Sequence, residues 1–165
     1  MRPLNSFVNE SSDKNLLKLL GVNTSDEGNA YLLAASVAVT FANNLKHIHF
    51  HIKGEKFDEI HSITQQYYAM AEDDADYLAE LCLEMGYEVP NFSHLPNIQH
   101  IMKIATEPKY DYTSAIGELS LYMQEYIACL KDLRDLAPSD VSSKLDEFIR
   151  YWTKEQNFKN EQRIN

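Results

Sequence analysis

The segment HIHFHIKGEKFDEIHSITQQYYAMAEDDADYLAELCLEMG (47–86) decides the fold, because it contains the end of one helical pattern, a turn and a complete second helical pattern. Gly54 marks the turn, since glycine is the usual residue just past the end of a helix. From Glu55 to Met85 there is neither glycine nor proline, and apolar residues recur every three or four positions. This spacing predicts a long helix with one face in the core.

The same kind of pattern continues on both sides of this segment. The predicted helices run from about Asn29 to Ile52, from Glu55 to Met85, from Tyr112 to Leu136, and from the APSD turn (137–140) to about Gln162. The connection between the second and third helices is long and contains three prolines, and HLPNIQHIMKIA (94–105) within it predicts a short helix opened by Pro96. Two helices, a crossover and two further helices predict an all-α, ferritin-like four-helix bundle.

The length and composition fit one domain. We expect residues 1–14 to form a flexible arm, residues 15–162 to form the bundle domain with one or two helical turns at 15–22, and residues 163–165 to form a tail. Neither a signal peptide nor an apolar run of about 18 residues is present, which predicts a cytoplasmic protein without a membrane segment. Cys82 and Cys129 lie in apolar helical patterns and are predicted to be free, buried thiols.

Four side chains of the segment are suited to binding a metal ion: His49, His61, Asp76 and Glu80. His49 precedes Gly54 by five residues and His61 follows it by seven. At about 1.5 Å per residue, they lie roughly 8 and 10 Å from the turn, so the two imidazoles face each other in an antiparallel helix pair. Asp76 and Glu80 are four residues apart, so their carboxylates share one face of the second helix.

The distance along the second helix decides how these groups combine. His61 and Asp76 are fifteen residues apart, which is about 22 Å on one continuous helix. No single metal site spans that distance, so if the four residues bind together, the carboxylates come from another chain. A two-fold axis beside the second helix would create two equivalent sites. Two histidines and two carboxylates suit iron, and less specifically zinc or manganese.

The run H-F-H-I-K-G-E-K-F-D-E-I-H (49–61), followed by D-Y-L-A-E (76–80), resembles the signature of the Dps miniferritins. In that family a histidine followed by an aromatic residue precedes a glycine turn, then Phe-x-x-Leu-His and Asp-x-x-x-Glu. The matching positions are His49, Gly54, Phe57, Ile60 (in place of leucine), His61, Asp76 and Glu80. The similarity covers about residues 45–90, and the order of the helices extends it to most of the chain.

The resemblance implies a hollow homododecamer with ferroxidase centres at its two-fold interfaces. It places His49 and His61 of one subunit opposite Asp76 and Glu80 of its neighbour as catalytic iron ligands. In such proteins ferrous iron is oxidised, preferentially by hydrogen peroxide and otherwise by oxygen, and ferric oxide is stored inside. Consuming iron and peroxide together limits the production of hydroxyl radicals.

The chain departs from the family pattern at two places. Phe50 stands where the family usually has a tryptophan, which removes an indole N–H. Gln65 and Gln66 stand one turn past the second histidine, where the family commonly has an acidic residue. This change affects the expected affinity for a second iron. It also leaves open a different function, a structural DNA-compacting shell with little ferroxidase activity. A separate alternative is an ordinary helical interaction protein in which the histidines are coincidental.

Further acidic residues carry weaker hypotheses. Asp73 and Glu84 continue the acidic stripe of the second helix, where they guide ions or simply form a solvated face. Asp135 and Asp140, with Asp132, flank the turn into the last helix. In Dps-like shells this region lines a three-fold pore, so an acidic ring there would attract Fe²⁺. The alternative for Asp140 is that it caps the last helix.

The net charge bears on DNA binding, and a second pair of histidines, His47 and His51, bears on a separate metal site. The net charge is −10, and neither terminus is a basic arm, so we expect weak or no binding to DNA. His47 and His51 are four residues apart on a different face from His49. They bind a separate metal or, as is more common for such a pair, face the solvent.

Overall fold

The structure is a computed structural model that describes residues 26–94 and 101–164. Its helices are α1 (Asp26–His51), α2 (Phe57–Glu84), α3 (Tyr112–Leu136) and α4 (Ser139–Thr153). The long helices and their order confirm the predicted all-α ferritin-like bundle. The predicted arm at 1–14 and the helical turns at 15–22 lie outside the described residues. No helix in the described stretches is long and apolar enough to cross a membrane.

Helices α2 and α3 run in the same direction, which the long connection between them allows. Near the start of both helices, the Lys56 ammonium lies 4.2 Å from the centre of the Tyr112 ring. Further along both helices, the Tyr126 hydroxyl donates a 2.9 Å hydrogen bond to Asp74. The crossover must therefore return along the length of the bundle before α3 begins.

The described part of the crossover is fastened to α1 by the buried side chain of Asn44. Its amide donates to the carbonyl of Lys103 at 2.8 Å, and its oxygen accepts from the backbone N–H of Ala105 at 2.9 Å. Half of the predicted short helix at 94–105, residues 95–100, falls outside the described residues. The described remainder at 101–105 is a turn and irregular chain, and Phe92–His94 forms one 3₁₀ turn.

The ends of α3 and α4 differ in how they are capped. At the start of α3, Asp111 and Ser114 form a capping box, in which each side chain accepts from the other residue's backbone N–H. The alternative that Asp140 caps α4 is wrong, because α4 begins one residue earlier, at Ser139, and Pro138 occupies the capping position. Asp140 lies in the first turn, where its negative charge still interacts favourably with the helix dipole.

The core contains the predicted apolar faces together with both cysteines, which are free and buried as expected. Burial raises the pKa of the Cys82 thiol to about 11 and that of Cys129 to about 12. The prediction that the fourth α-helix continues to about Gln162 is wrong, because α4 ends at Thr153. The chain continues as a π-helical segment from Lys154 to Asn160 and a last α-helical turn at Glu161–Arg163. The π-helical segment turns three polar side chains inward: Glu155, Gln156 and Asn160.

Candidate metal centre

The turn between α1 and α2 brings His49 and His61 together. Gly54 has a φ of +86°, and Lys56 also has a positive φ of 61°, so the chain reverses within a few residues. The imidazole rings of His49 and His61 are stacked, with their centres 3.6 Å apart and an angle of 20° between their planes. The prediction that the two imidazoles face each other at the same height is therefore confirmed.

Two reciprocal hydrogen bonds hold these rings. Nδ1 of His49 donates to the carbonyl of His61 at 2.8 Å, and Nδ1 of His61 donates to the carbonyl of His49 at 3.1 Å. A carbonyl oxygen only accepts, so both Nδ1 atoms carry the proton. In the neutral ring, Nε2 then holds the lone pair that a metal ion requires.

Burial keeps His49 in this neutral form. His49 is 7% exposed, and the loss of hydration lowers the pKa of its imidazole below the usual value. The hydrogen bond to the His61 carbonyl opposes this effect, and electrostatic repulsion between the two imidazoles adds to it. A neutral imidazole at pH 7 is ready to bind a cation without first releasing a proton.

Aromatic side chains surround the two histidines. Phe57 stacks on His61 at 4.9 Å, while Phe50 and Tyr68 each place a ring edge-on to His49, with centres 5.4 Å away. Phe50 is 69% exposed and Phe57 is 40% exposed. Both rings therefore expose apolar surface beside the histidine pair.

Asp76 and Glu80 lie on α2 with exposed side chains four residues apart. Because α2 is continuous from Phe57 to Glu84, Asp76 remains about 22 Å along the helix from His61. Within residues 26–94 and 101–164, no three His, Cys, Asp or Glu side chains are grouped to hold a metal ion. A single chain thus brings the histidines together, and separately the carboxylates, but not all four.

The weaker acidic candidates are all on the surface. Asp73 and Glu84 are exposed on α2, and Asp135 and Asp140 are exposed near the turn between α3 and α4. Oδ1 of Asp135 lies 3.5 Å from Nε of Arg134, and this ion pair reduces the availability of the Asp135 carboxylate to a cation.

His47 and His51 stack on each other with ring centres 4.1 Å apart, on the other side of α1. Nε2 of His47 donates to the carbonyl of Glu107 at 2.7 Å, and Nδ1 of His51 donates to the carbonyl of His47 at 2.7 Å. One nitrogen of each ring is therefore engaged by a backbone carbonyl. The contact of His47 adds to the attachment of the crossover to α1.

Sequence reasoning missed a buried polar site inside the bundle. One oxygen of Asp74 accepts from the Trp152 indole at 2.8 Å and from Tyr126 at 2.9 Å. Burial raises the pKa of the Asp74 carboxyl to about 6, although the two hydrogen bonds act in the opposite direction. The available signal was the position of Asp74 between Ala71 and Leu78, at the helical spacing of the core-facing stripe.

Solved structures share this ferritin-like architecture. The Dps protein of Staphylococcus aureus matches with a TM-score of 0.66 at 19% identity, covering 86% of this chain and 95% of that chain. Dps from Bacillus brevis matches with a TM-score of 0.59 at 18% identity, covering 88% of this chain and 93% of that chain. Antigen TpF1 from Treponema pallidum matches with a TM-score of 0.64 at 21% identity, covering 76% of this chain and 84% of that chain.

The chain therefore has the ferritin-like four-helix fold, and more particularly the arrangement of helices found in Dps proteins. At these low identities the likeness establishes the fold. No protein-family model and no curated protein sequence matches the chain. The resemblance to the Dps miniferritins is thus confirmed at the level of the fold.

Proposed function

We propose that this chain is a subunit of a dodecameric shell that oxidises ferrous iron, chiefly with hydrogen peroxide, and stores the ferric product. The observation that carries the proposal is the pair of stacked histidines, His49 and His61, whose reciprocal Nδ1 hydrogen bonds leave Nε2 as the acceptor in both rings. In this proposal the partner subunit's Asp76 and the partner subunit's Glu80 supply the carboxylates.

The exposed surface beside the histidines supports a shared site. Phe50 and Phe57 offer apolar area that a second copy would bury. If α2 pairs antiparallel with its mate so that His61 meets Asp76 and Glu80, the two-fold axis passes near residue 69. The same axis then generates two identical sites, one on either side.

The four side chains match the chemistry of ferrous oxidation. Imidazole nitrogen binds Fe²⁺, and carboxylate oxygen favours the higher charge of Fe³⁺. Two ferrous ions supply the two electrons that reduce one peroxide molecule, together with two protons, to two water molecules. The exposed carboxylates of Asp73 and Glu84 would draw cations along the surface of α2.

A second candidate function is a structural DNA-compacting shell with little ferroxidase activity. The observation that favours it is Gln65, an exposed neutral amide one turn past His61. The net charge of −10 speaks against it, because DNA binding requires a surface that neutralises phosphates. We therefore expect weak or no DNA binding at physiological salt, and a tight gel shift of plasmid at that salt would contradict this.

Anaerobic mixing of the protein with ferrous iron and hydrogen peroxide tests the proposal. The ferric absorbance should rise rapidly for the natural chain and for His94→Ala, a control at an exposed histidine far along the chain. It should rise slowly for His61→Ala. Native mass should be near twelve times 19.0 kDa for all three proteins. Equal rates for His61→Ala and the natural chain would sink the ferroxidase proposal.

A further inference from the structure

His47 and His51 lie where the crossover rejoins the end of α1. His51 is the last residue of that helix, and its carbonyl accepts from the backbone N–H of Tyr110 at 3.0 Å. The backbone N–H of Lys53 in turn donates to the carbonyl of Tyr110 at 2.9 Å. These two hydrogen bonds fix the backbone beside the histidine pair, so both side chains start from a defined position.

Each of the two imidazoles has one nitrogen on a backbone carbonyl and one nitrogen with a lone pair. Nε2 of His47 donates to the carbonyl of Glu107, which leaves Nδ1 as the acceptor of that ring. Nδ1 of His51 donates to the carbonyl of His47, which leaves Nε2 as the acceptor. Histidines that bind metal ions have this arrangement, because the hydrogen bond at one nitrogen fixes the tautomer and the orientation of the ring.

The two rings lie within reach of a single ion. They stack with their centres 4.1 Å apart and an angle of 29° between their planes. A zinc–nitrogen bond is about 2.0–2.1 Å long, so one ion joins two nitrogens that lie up to about 4 Å apart. A separation of four residues on one helix is also the spacing with which H-E-x-x-H helices bind zinc. Both rings are half-buried, so water has access to complete the coordination shell.

The electrostatic surroundings favour a cation at this pair. His51 lies in the last turn of α1, where the unpaired backbone carbonyls give the helix end a partial negative charge. The net charge of the chain is −10, which attracts cations to the protein as a whole.

We propose that His47 and His51 bind one divalent cation of the zinc and copper class in each chain, separately from the pair His49 and His61. Imidazole nitrogen suits Zn²⁺ and Cu²⁺, whereas Mg²⁺ and Ca²⁺ prefer sites made of oxygen atoms. Because His47 also holds the crossover through the carbonyl of Glu107, the bound ion stabilises the attachment of the crossover to α1. The inference does not require that the chain oxidises iron.

Copper binding to the assembled His61→Ala protein tests the inference, since this background removes one ring of the other histidine pair. Cu²⁺ is titrated into protein that carries ¹⁵N-labelled histidine, and electron paramagnetic resonance counts the bound ions and their imidazole nitrogens. Adding His51→Ala should remove one Cu²⁺ with two imidazole nitrogens per chain. Adding His94→Ala, at an exposed histidine elsewhere in the chain, should remove none. Any copper bound at other sites cancels in these differences.

Two variants separate loss of the ligand from loss of the fold. His51→Ala keeps the hydrogen bond from His47 to the crossover, and in His47→Gln the side-chain amide can donate to the same carbonyl of Glu107. Helix content and native mass verify that each variant is assembled. Zn²⁺ should raise the Tm of the His61→Ala protein, and either added substitution should reduce that rise.

Three results would overturn the inference. The first is an assembled His51→Ala or His47→Gln protein that binds as much two-nitrogen Cu²⁺ as its His61→Ala parent. The second is a parent whose copper has only one imidazole nitrogen, which would mean that the histidines bind singly. The third is a parent that binds no copper. None of these results bears on ferrous oxidation, so the ferroxidase proposal would stand or fall by its own test.

Discussion

The substitution Asp74→Asn should change how the stability of the protein depends on pH. Asp74 is 1% exposed, and burial raises the pKa of its carboxyl from 3.8 to about 6. The folded state therefore binds a proton more tightly than the unfolded state, so the free energy of unfolding falls as pH rises between these two values. The pKa difference corresponds to about 3 kcal/mol. Asparagine keeps an oxygen for Trp152 and Tyr126 but does not ionise.

The assay is thermal unfolding of both proteins at one protein concentration and at several pH values from 4 to 7. As pH rises, the natural chain should lose stability relative to Asp74→Asn by up to about 3 kcal/mol, or roughly 6–12 °C in Tm for a domain of this size. Concentration is held constant because assembly contributes to Tm. Two parallel curves across this range would refute the reasoning, since they would mean that Asp74 does not titrate between its two states.

Three further predictions concern the turn, the caps and the candidate site. Gly54→Ala should lower the free energy of unfolding by about 1 kcal/mol or more because of its positive φ, whereas Gly117→Ala, in open space within α3, should raise it by about 0.5–1 kcal/mol. Asp111→Ala should lower it by about 1 kcal/mol by removing a helix cap. Denaturant titration measures the free energy of unfolding of the Gly54, Gly117 and Asp111 variants. Gln65→Glu should raise the rate of ferrous oxidation, on the order of tenfold, by restoring a carboxylate near His61.

Each of these predictions has an outcome that contradicts it. Equal effects of alanine at Gly54 and Gly117 would mean that backbone conformation does not distinguish them. An unchanged stability of Asp111→Ala would show that water replaces the capping box at no cost. If Gln65→Glu oxidises iron no faster than the natural chain, the neutral amide of Gln65 does not limit the binding of a second iron.

The fold was readable from the sequence because its signals are local. The stretch from Glu55 to Met85 has a helical period and no breaker, and Gly54 sets the heights of His49 and His61 on two antiparallel helices. A rise of 1.5 Å per residue then suffices to place the rings opposite each other. For α1 and α2 the structure differs from this expectation only at the ends of the helices, by a few residues.

The parts that sequence reasoning missed depend on tertiary contacts. Asp74 is charged and lies in a buried stripe, and only the positions of Trp152 and Tyr126 on other helices explain how its burial is tolerated. The π-helical segment after α4 has no pattern of its own, although it brings Glu155 to Tyr67. Any grouping of both histidines with both carboxylates would require a second chain, and the length of α2 indicated this from the sequence.

Mixing two inactive variants tests the shared site most directly. His61→Ala chains and Asp76→Ala chains are unfolded together, reassembled at equal amounts, and assayed for ferrous oxidation beside each variant alone. If each centre takes histidines from one chain and carboxylates from its partner, about half of the two-fold interfaces are mixed, and each of these regains one intact centre. The account predicts recovery of about a quarter of the natural activity. A mixture as inactive as its two components would contradict it.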